Sequence, residues 1–361
     1  MSEAEPNKPA EAPLRSVHTT SFARLLAELG ISILVTTYQA GKLVVLREDG
    51  NGGVNTHFRA FRKPMGLAVQ KDRFAIGTAG EIHEYHNVPA VAAKLEPPGK
   101  HDAAYLPRTI HTTGDVQIHE MGWGGGDELW FVNTRFSCLC NRAVNYSFVP
   151  RWRPPFVSAL AAEDRCHLNG LAMVNGKPAY VTALGETDTA GGWRANKKAG
   201  GILIELWSNE ILCRGLSMPH SPRWYRGQLW VLESGGGGVG VVDLATGKYQ
   251  QVATLPGFTR GIDFFGNFAF IGLSQVRESA TFSGLAITDL PVEKRACGVW
   301  VIDIRSGQIA AFLQFQDAVQ EIFAVAVLDG QRYPDVVNED PAILANSFVL
   351  PDEALGHVAS G

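Results

Sequence analysis

Cysteine is scarce in this chain: five in 361 residues, an odd number and widely scattered. That excludes a disulfide framework and points to reduced thiols. Long hydrophobic runs are missing too. No stretch approaches the roughly 20 apolar residues that a membrane-spanning helix needs. Residues 1–13, acidic and rich in Pro and Ala, hold no apolar signal core. Neither sign of charge prevails. Lys and Arg number 32 against 36 Asp and Glu, a net −4, so nucleic acid is not the expected partner. Helical periodicity is confined to residues 21–29, where Phe22, Leu25, Leu26 and Leu29 share one face. These absences lead to the expectation of a soluble cytoplasmic protein acting on a small-molecule substrate, away from membranes and nucleic acid. A protein partner stays open as an alternative.

What is present is a repeat. Six segments align without a gap: Met65-Gly-Leu-Ala-Val69, His119-Glu-Met-Gly-Trp123, Asn169-Gly-Leu-Ala-Met173, His220-Ser-Pro-Arg-Trp224, Arg260-Gly-Ile-Asp-Phe264 and Glu321-Ile-Phe-Ala-Val325. They recur every roughly 40–60 residues, the spacing of β-propeller blades. Most are followed by further runs rich in Val, Ile, Phe and Trp. Residues 73–78, 128–133, 178–183, 228–233 and 267–273 read as second strands. Residues 136–140, 201–207, 238–244 and 298–304 read as third strands, and 211–216, 249–255 and 309–315 as fourth. Asp243-Leu-Ala-Thr-Gly247 and Asp303-Ile-Arg-Ser-Gly307 supply turns between them. The last aligned segment has little strand sequence behind it. Residues 31–38, 42–47 and 54–61 are strand-like but lack an inner strand of their own. Together they make one complete blade and leave no open edge at the seam. The expected fold is all-β, a six-bladed β-propeller of four-stranded blades, in preference to a β-sandwich or an α/β chain. Residues 1–20 are expected to form a disordered tail, 21–335 a single domain and 336–361 a C-terminal extension.

The alignment selects one residue per blade near one mouth of the channel: Met65, His119, Asn169, His220, Arg260 and Glu321. His119, His220 and Glu321 come from alternate blades, so their ligand atoms can converge on the axis of a closed ring. Two imidazoles and a carboxylate suit Zn²⁺, Fe²⁺ or Mn²⁺ better than Ca²⁺, which prefers oxygen ligands. A divalent transition metal is therefore the expected cofactor, with Asn169 as a fourth ligand or as the residue that orients a water. Arg260 is expected to hold an anionic group with its planar fork. His167 is a candidate ligand or general base. Glu120, which strand alternation turns away from the ring, is a further catalytic candidate.

Four insertions are expected over that mouth: residues 87–116, 151–166, 185–200 and 275–297. Loops held on a rigid scaffold are where binding residues concentrate. Arg151, Arg153, Trp193, Arg194 and Arg277 are candidate substrate contacts for a body that is apolar or sugar-like with an anionic group. The Gly-rich stretch Gly185-Glu-Thr-Asp-Thr-Ala-Gly-Gly-Trp193 reads as a hinged lid. Ser234-Gly-Gly-Gly-Gly238 joins two strands and opens no helix, which argues against a nucleotide loop. Cys138 and Cys140 read as buried thiols, and Cys166 as a minor candidate nucleophile.

Asn169-Gly-Leu and His220-Ser-Pro-Arg-Trp224 resemble inner-strand motifs of six-bladed propellers of the gluconolactonase/strictosidine synthase type. In gluconolactonases the matching motifs read Asn-Gly-Leu and Glu-Gly-Pro-x-Trp, and their Asn and Glu bind a divalent metal. The resemblance carries that role to Asn169. His220 stands where the Glu would be, and Arg260-Gly261 where the family has Asp-Gly. In ligand type the chain is closer to propellers of the peptidyl-hydroxyglycine amidating-lyase type, which hold zinc with inner-strand histidines. Over most of its length it resembles a bacterial family of conserved proteins with no assigned activity, through Trp130-Phe-Val-Asn-Thr-Arg-Phe-Ser-Cys138, Tyr146-Ser-Phe-Val-Pro-Arg-Trp-Arg-Pro-Pro155 and Leu184-Gly-Glu-Thr-Asp-Thr189.

Two functions follow as expectations. One is a metal-dependent enzyme acting on a small polar or anionic substrate at one mouth of the channel, as a hydrolase, a lyase or a His/Glu-iron oxygenase. The other is a non-catalytic propeller that binds a ligand or a protein on the loop-rich mouth.

Overall fold

The computed structural model describes residues 14–276, 279 and 281–351. Six sheets surround one axis, each built of four antiparallel strands laid from the axis outward. Blade one runs Leu67–Gln70, Arg73–Gly77, Gly80–Asn87, Ala103–Gly114, and blade two Ile118–Trp123, Leu129–Asn133, Cys138–Ala143, Tyr146–Trp152. Blade three is Leu168–Val174, Lys177–Ala183, Gly201–Glu205, Ile211–Leu216, and blade four Pro219–Tyr225, Gln228–Glu233, Gly238–Val242, Tyr249–Thr254. Blade five is Phe258–Phe265, Phe268–Ser274, Gly298–Asp303, Ile309–Phe315. The sixth is closed by both ends of the domain: Ala324–Leu328 lies innermost and pairs with Ser32–Thr37, followed by Lys42–Glu48 and Val54–Ala60. This is the closure that the strands without an inner partner required.

The seam is reinforced twice more. Ser16–His18 adds a fifth strand to the outer edge of blade five, and Pro334–Val336 lies parallel to the outer strand of blade one. Some residues expected in the tail and the extension therefore belong to the sheets; residues 1–13 and 352–361 lie outside the described residues. The helix Thr20–Leu29 buries Phe22, Ala23 and Leu26, and Gly30 ends it in the left-handed region at φ 68, its N–H meeting Ala27 and Leu26 carbonyls. Phe22 and Leu26 pack with Ile31, Val299 and Leu313 at the junction of blades five and six.

Between blades the core is aliphatic and aromatic, but the joints near the axis are polar. Residues at or beside the end of the second strand send a hydroxyl to a carbonyl in, or just before, the next inner strand. Thr36 donates to Met65 O at 2.6 Å, Thr134 to Leu168 O at 2.6 Å, Ser234 to Thr259 O at 2.5 Å and Ser274 to Ile322 O at 3.0 Å. A buried carbonyl left unpaired would cost about 1–3 kcal/mol, so each hydroxyl secures a joint.

Strand direction decides where the insertions lie. Every inner strand begins at one mouth, and the second strand returns to it. Links between second and third strands, and links between blades, therefore open there, on what we call the loop mouth. Residues 151–166, 185–200 and 275–297 connect in this way. The first insertion does not. Residues 88–102, with the short helix Pro89–Ala92, join the third and fourth strands of blade one and lie at the opposite, turn mouth; most of the remainder is the strand Ala103–Gly114. Pro107 hides that strand in the sequence, since proline cannot donate to a ladder. A register slip opposite Glu84 and Tyr85 accommodates it.

Candidate functional site

The loop mouth opens into a cavity of about 360 Å³ floored by Met65, His119, His220, Arg260 and Glu321. Lys63, Asp164, His167, Trp193 and Arg194 wall it on the side of blades one to three, and Tyr38, Phe258, Phe282 and Phe323 give it an aromatic lining. Five of the six aligned positions thus share one space.

They do not reach it by plain alternation. In blades two to five the register of the inner strand slips beside the aligned residue, and such bulges re-aim side chains. In blade two, His119 and Glu120 together oppose Val132. Glu120 therefore does not turn away, as alternation implied, but reaches across the axis to Arg223 of blade four, Oε1 to Nη2 at 2.8 Å. Burial pushes its carboxyl up, against the pull of Arg223. It is spent on this pair and does not line the cavity, which corrects its assignment as a catalytic residue. In blade three the slip carries Asn169 into the joint with blade four. Its Nδ2 donates to Pro219 O at 2.9 Å and its Oδ1 accepts from Thr182 at 2.7 Å. Asn169 is a joint residue and not a ligand, a second correction.

The histidines are held differently. Lys63, Gln117, His167 and Met218, each two residues before an aligned position, have φ of 49, 57, 50 and 46. This left-handed backbone is costly for residues with a side chain and collects at functional sites. Here it brings backbone carbonyls onto imidazoles. Nδ1 of His119 lies 2.9 Å from Gln117 O and 2.8 Å from Thr134 Oγ1. Nδ1 of His220 lies 2.9 Å from Met218 O and 3.0 Å from Ser234 Oγ. A carbonyl only accepts, so Nδ1 carries the proton in both, and Nε2 keeps a lone pair. The hydroxyls that join the blades thus also fix these rings. Burial lowers both imidazoles well below the usual 6.5, helped by His167 and Arg260, and they are neutral at pH 7.

His167 is anchored by its Nδ1 to the Asp164 carboxylate at 2.9 Å. The Trp193 indole N–H donates to the same carboxylate at 3.0 Å. The His167 ring sits 4.8 Å from His119 and 4.6 Å from Trp193, centroid to centroid. The insertion that carries Trp193 is tied down through this bond and by Thr187 to Arg165 O at 2.5 Å. Among the described residues, Nε2 of His119, His167 and His220 meets no protein hydrogen-bond partner.

Arg260 is the other unspent group. Its guanidinium carbon lies 3.6 Å from the centroid of Phe323. Its Nε is buried with no hydrogen-bond partner. Glu321 and Glu120 act on it through space, yet among the described residues it forms no ion pair. Burial lowers it to about 10, so it stays charged.

Other expected residues fall elsewhere. Arg151 and Arg153, on and just beyond the outermost strand of blade two, are exposed and do not line the cavity, which corrects their assignment as substrate contacts. Trp193 and Arg194 do line it. Arg277 lies outside the described residues. Cys166 is fully buried and its thiol is pushed up to about 12, which removes it as a nucleophile. All five cysteines are free and buried. Among the described residues no group of three or more His, Cys, Asp or Glu side chains is gathered closely enough to hold a metal ion, and no helix is long and apolar enough to cross a membrane. Asp164, Thr134, Ser234 and Phe323 escaped the sequence reading. The recurring hydroxyl at positions 36, 134, 182, 234 and 274 was the signal available for two of them.

A solved structure titled "Crystal structure of Nidogen/Laminin Complex" contains a chain similar in fold, with a TM-score of 0.50 and 8% identity, covering 83% of this chain and 99% of that one. No curated protein matches the chain significantly. Residues 20–337 match the family described as "Domain of unknown function (DUF4915)". The ring of aligned side chains, the blade joints and the strands that close blade six all fall within that span, and the chain belongs to this family.

Proposed function

We propose that the cavity is the active site of an enzyme performing acid–base chemistry on a small polar substrate, a hydrolysis or a lyase step. One observation carries this: three imidazoles in one cavity have Nδ1 committed to acceptors and Nε2 left without a partner. His119 and His220, neutral and unable to tumble, serve as bases. His167, held by Asp164 beside His119, carries the returning proton. Trp193 shields this pair from water. The test is turnover of a panel of aryl esters and lactones. His119→Gln and His220→Gln are each expected to lower the rate by about 10²-fold or more while the fold persists. Binding without turnover across the panel would instead favour a non-catalytic binding propeller.

The same anchoring favours a second reading, since metal-binding imidazoles also donate their other N–H to an acceptor. In it, a divalent transition metal, Zn, Fe or Mn rather than Ca, would draw together His119, His220 and Glu321, which are not gathered for an ion as they stand. When bound, the metal would activate water or polarise a carbonyl. Metal analysis of protein purified without chelator decides: stoichiometric metal, lost in the His119→Ala/His220→Ala variant, supports it, and a trace level equal in both proteins sinks it.

A further inference from the structure

We infer that the ligand of this cavity is a carboxylate with a hydrogen-bond donor, a hydroxyl or an ammonium, on the adjacent carbon and an apolar body beyond it. The inference rests on the reading of the cavity as an active site and narrows its substrate class. The argument is complementarity. Deep in the cavity the unmatched donor is the Arg260 guanidinium, whose buried Nε has no acceptor. Planar carboxylates match that fork. The unmatched acceptors beside it are Nε2 of His119 and of His220 and the carboxylate of Glu321. Phe323 ties the two kinds together: the guanidinium lies over its face, and the His119 ring sits 4.9 Å from it, centroid to centroid.

Simpler ligands satisfy only half of this. A plain carboxylate answers Arg260 but turns oxygen lone pairs toward imidazole lone pairs. A neutral alcohol answers the imidazoles and leaves a half-buried cation bare, which is costly. A donor next to the carboxylate answers both. The apolar body follows from the wall above. Phe258 lies 5.5 Å from His220 and 5.3 Å from Phe282, and buried Trp193 belongs to the same apolar cluster. A volume of about 360 Å³ is within the range of small-molecule sites.

Calorimetric titration of the full chain at neutral pH with phenyllactate, phenylalanine, hydrocinnamate and phenyllactate methyl ester tests this. Phenyllactate or phenylalanine is expected to bind at least about tenfold tighter than hydrocinnamate, which lacks the donor, and than the ester, which lacks the charge. Preference for phenylalanine that disappears in Glu321→Gln identifies the donor as an ammonium; preference for phenyllactate identifies a hydroxyl. Arg260→Met is expected to remove the advantage of acid over ester, with Arg260→Lys regaining part of it. The inference is overturned if acid and ester bind alike, if Arg260→Met leaves their ratio unchanged, or if none of the four binds. None of these outcomes touches the aryl-ester assay, so the acid–base reading stands or falls separately.

Discussion

Arg223 and Arg260 sit on the inner strands of neighbouring blades and have opposite fates. Arg223 faces the turn mouth. It donates to Glu120 at 2.8 Å, to Leu171 O at 3.2 Å and to Pro222 O at 2.9 Å. Arg260 faces the loop mouth and donates to no described residue. The two ends of one channel therefore differ in whether the protein answers its own charges. Where it does, the group is a fastener between blades two and four. Where it does not, the group stays unpaired among the described residues.

The sharpest way to break this contrast is to remove each cation. Arg223→Met strands a buried carboxylate and is expected to cost about 3 kcal/mol in urea denaturation. Arg260→Met is expected to be neutral or stabilising, because it deletes an unanswered, half-buried charge. Equal losses would show that Arg260 is also structural.

Acidification distinguishes the mouths next. His119 and His220 are held below 6.5 in the folded chain, while the unfolded chain takes up their protons near 6.5. Stability contributed by keeping them neutral is thus complete above about 6.5 and falls as pH drops below it, by at most about 1.4 kcal/mol per pH unit for each imidazole. Denaturation midpoints measured down the pH scale should decline less steeply in His119→Gln/His220→Gln. An identical slope would place the acid-sensitive groups elsewhere.

Smaller effects probe the joints and the strain. Thr134→Val removes the donor to Leu168 O and one anchor of His119, an expected loss of about 1–2 kcal/mol by chemical denaturation. Gln117→Gly relieves a left-handed residue and should gain about 0.5 kcal/mol, as should Lys71→Gly at φ 48 in a hairpin turn of the other mouth. Only the first is expected to slow ester turnover, because only Gln117 steers an imidazole. A loss of stability in Gln117→Gly would mean that its side chain packs usefully in the cavity wall.

The sequence made the ring legible because the six inner strands keep their register against one another, and because strands 32–37, 42–48 and 54–60 had no inner partner except residues 324–328. His119, His167, His220, Arg260 and Glu321 were found for the same reason. What failed was the step from register to direction. A rule of alternation turned Glu120 outward and Asn169 inward, and a single slipped residue reversed both. Pro107 concealed a strand and so sent an insertion to the wrong mouth. Partners such as Asp164 were illegible for another reason: a loop carboxylate has no periodicity to betray it, and only the fold brings it beneath His167 and Trp193.

The seam of blade six has a consequence in time. Its innermost strand is Ala324–Leu328 and its neighbour is Ser32–Thr37, so a chain emerging from the ribosome holds an arc until nearly all of it has been made. Single blades can form early, but an axis cannot. Every side chain that floors the cavity is then present except Glu321, with nothing to hold them face to face. The site is created in one late event, when the two ends of the arc meet, and a chain cut short of that strand retains the residues without the place where they act.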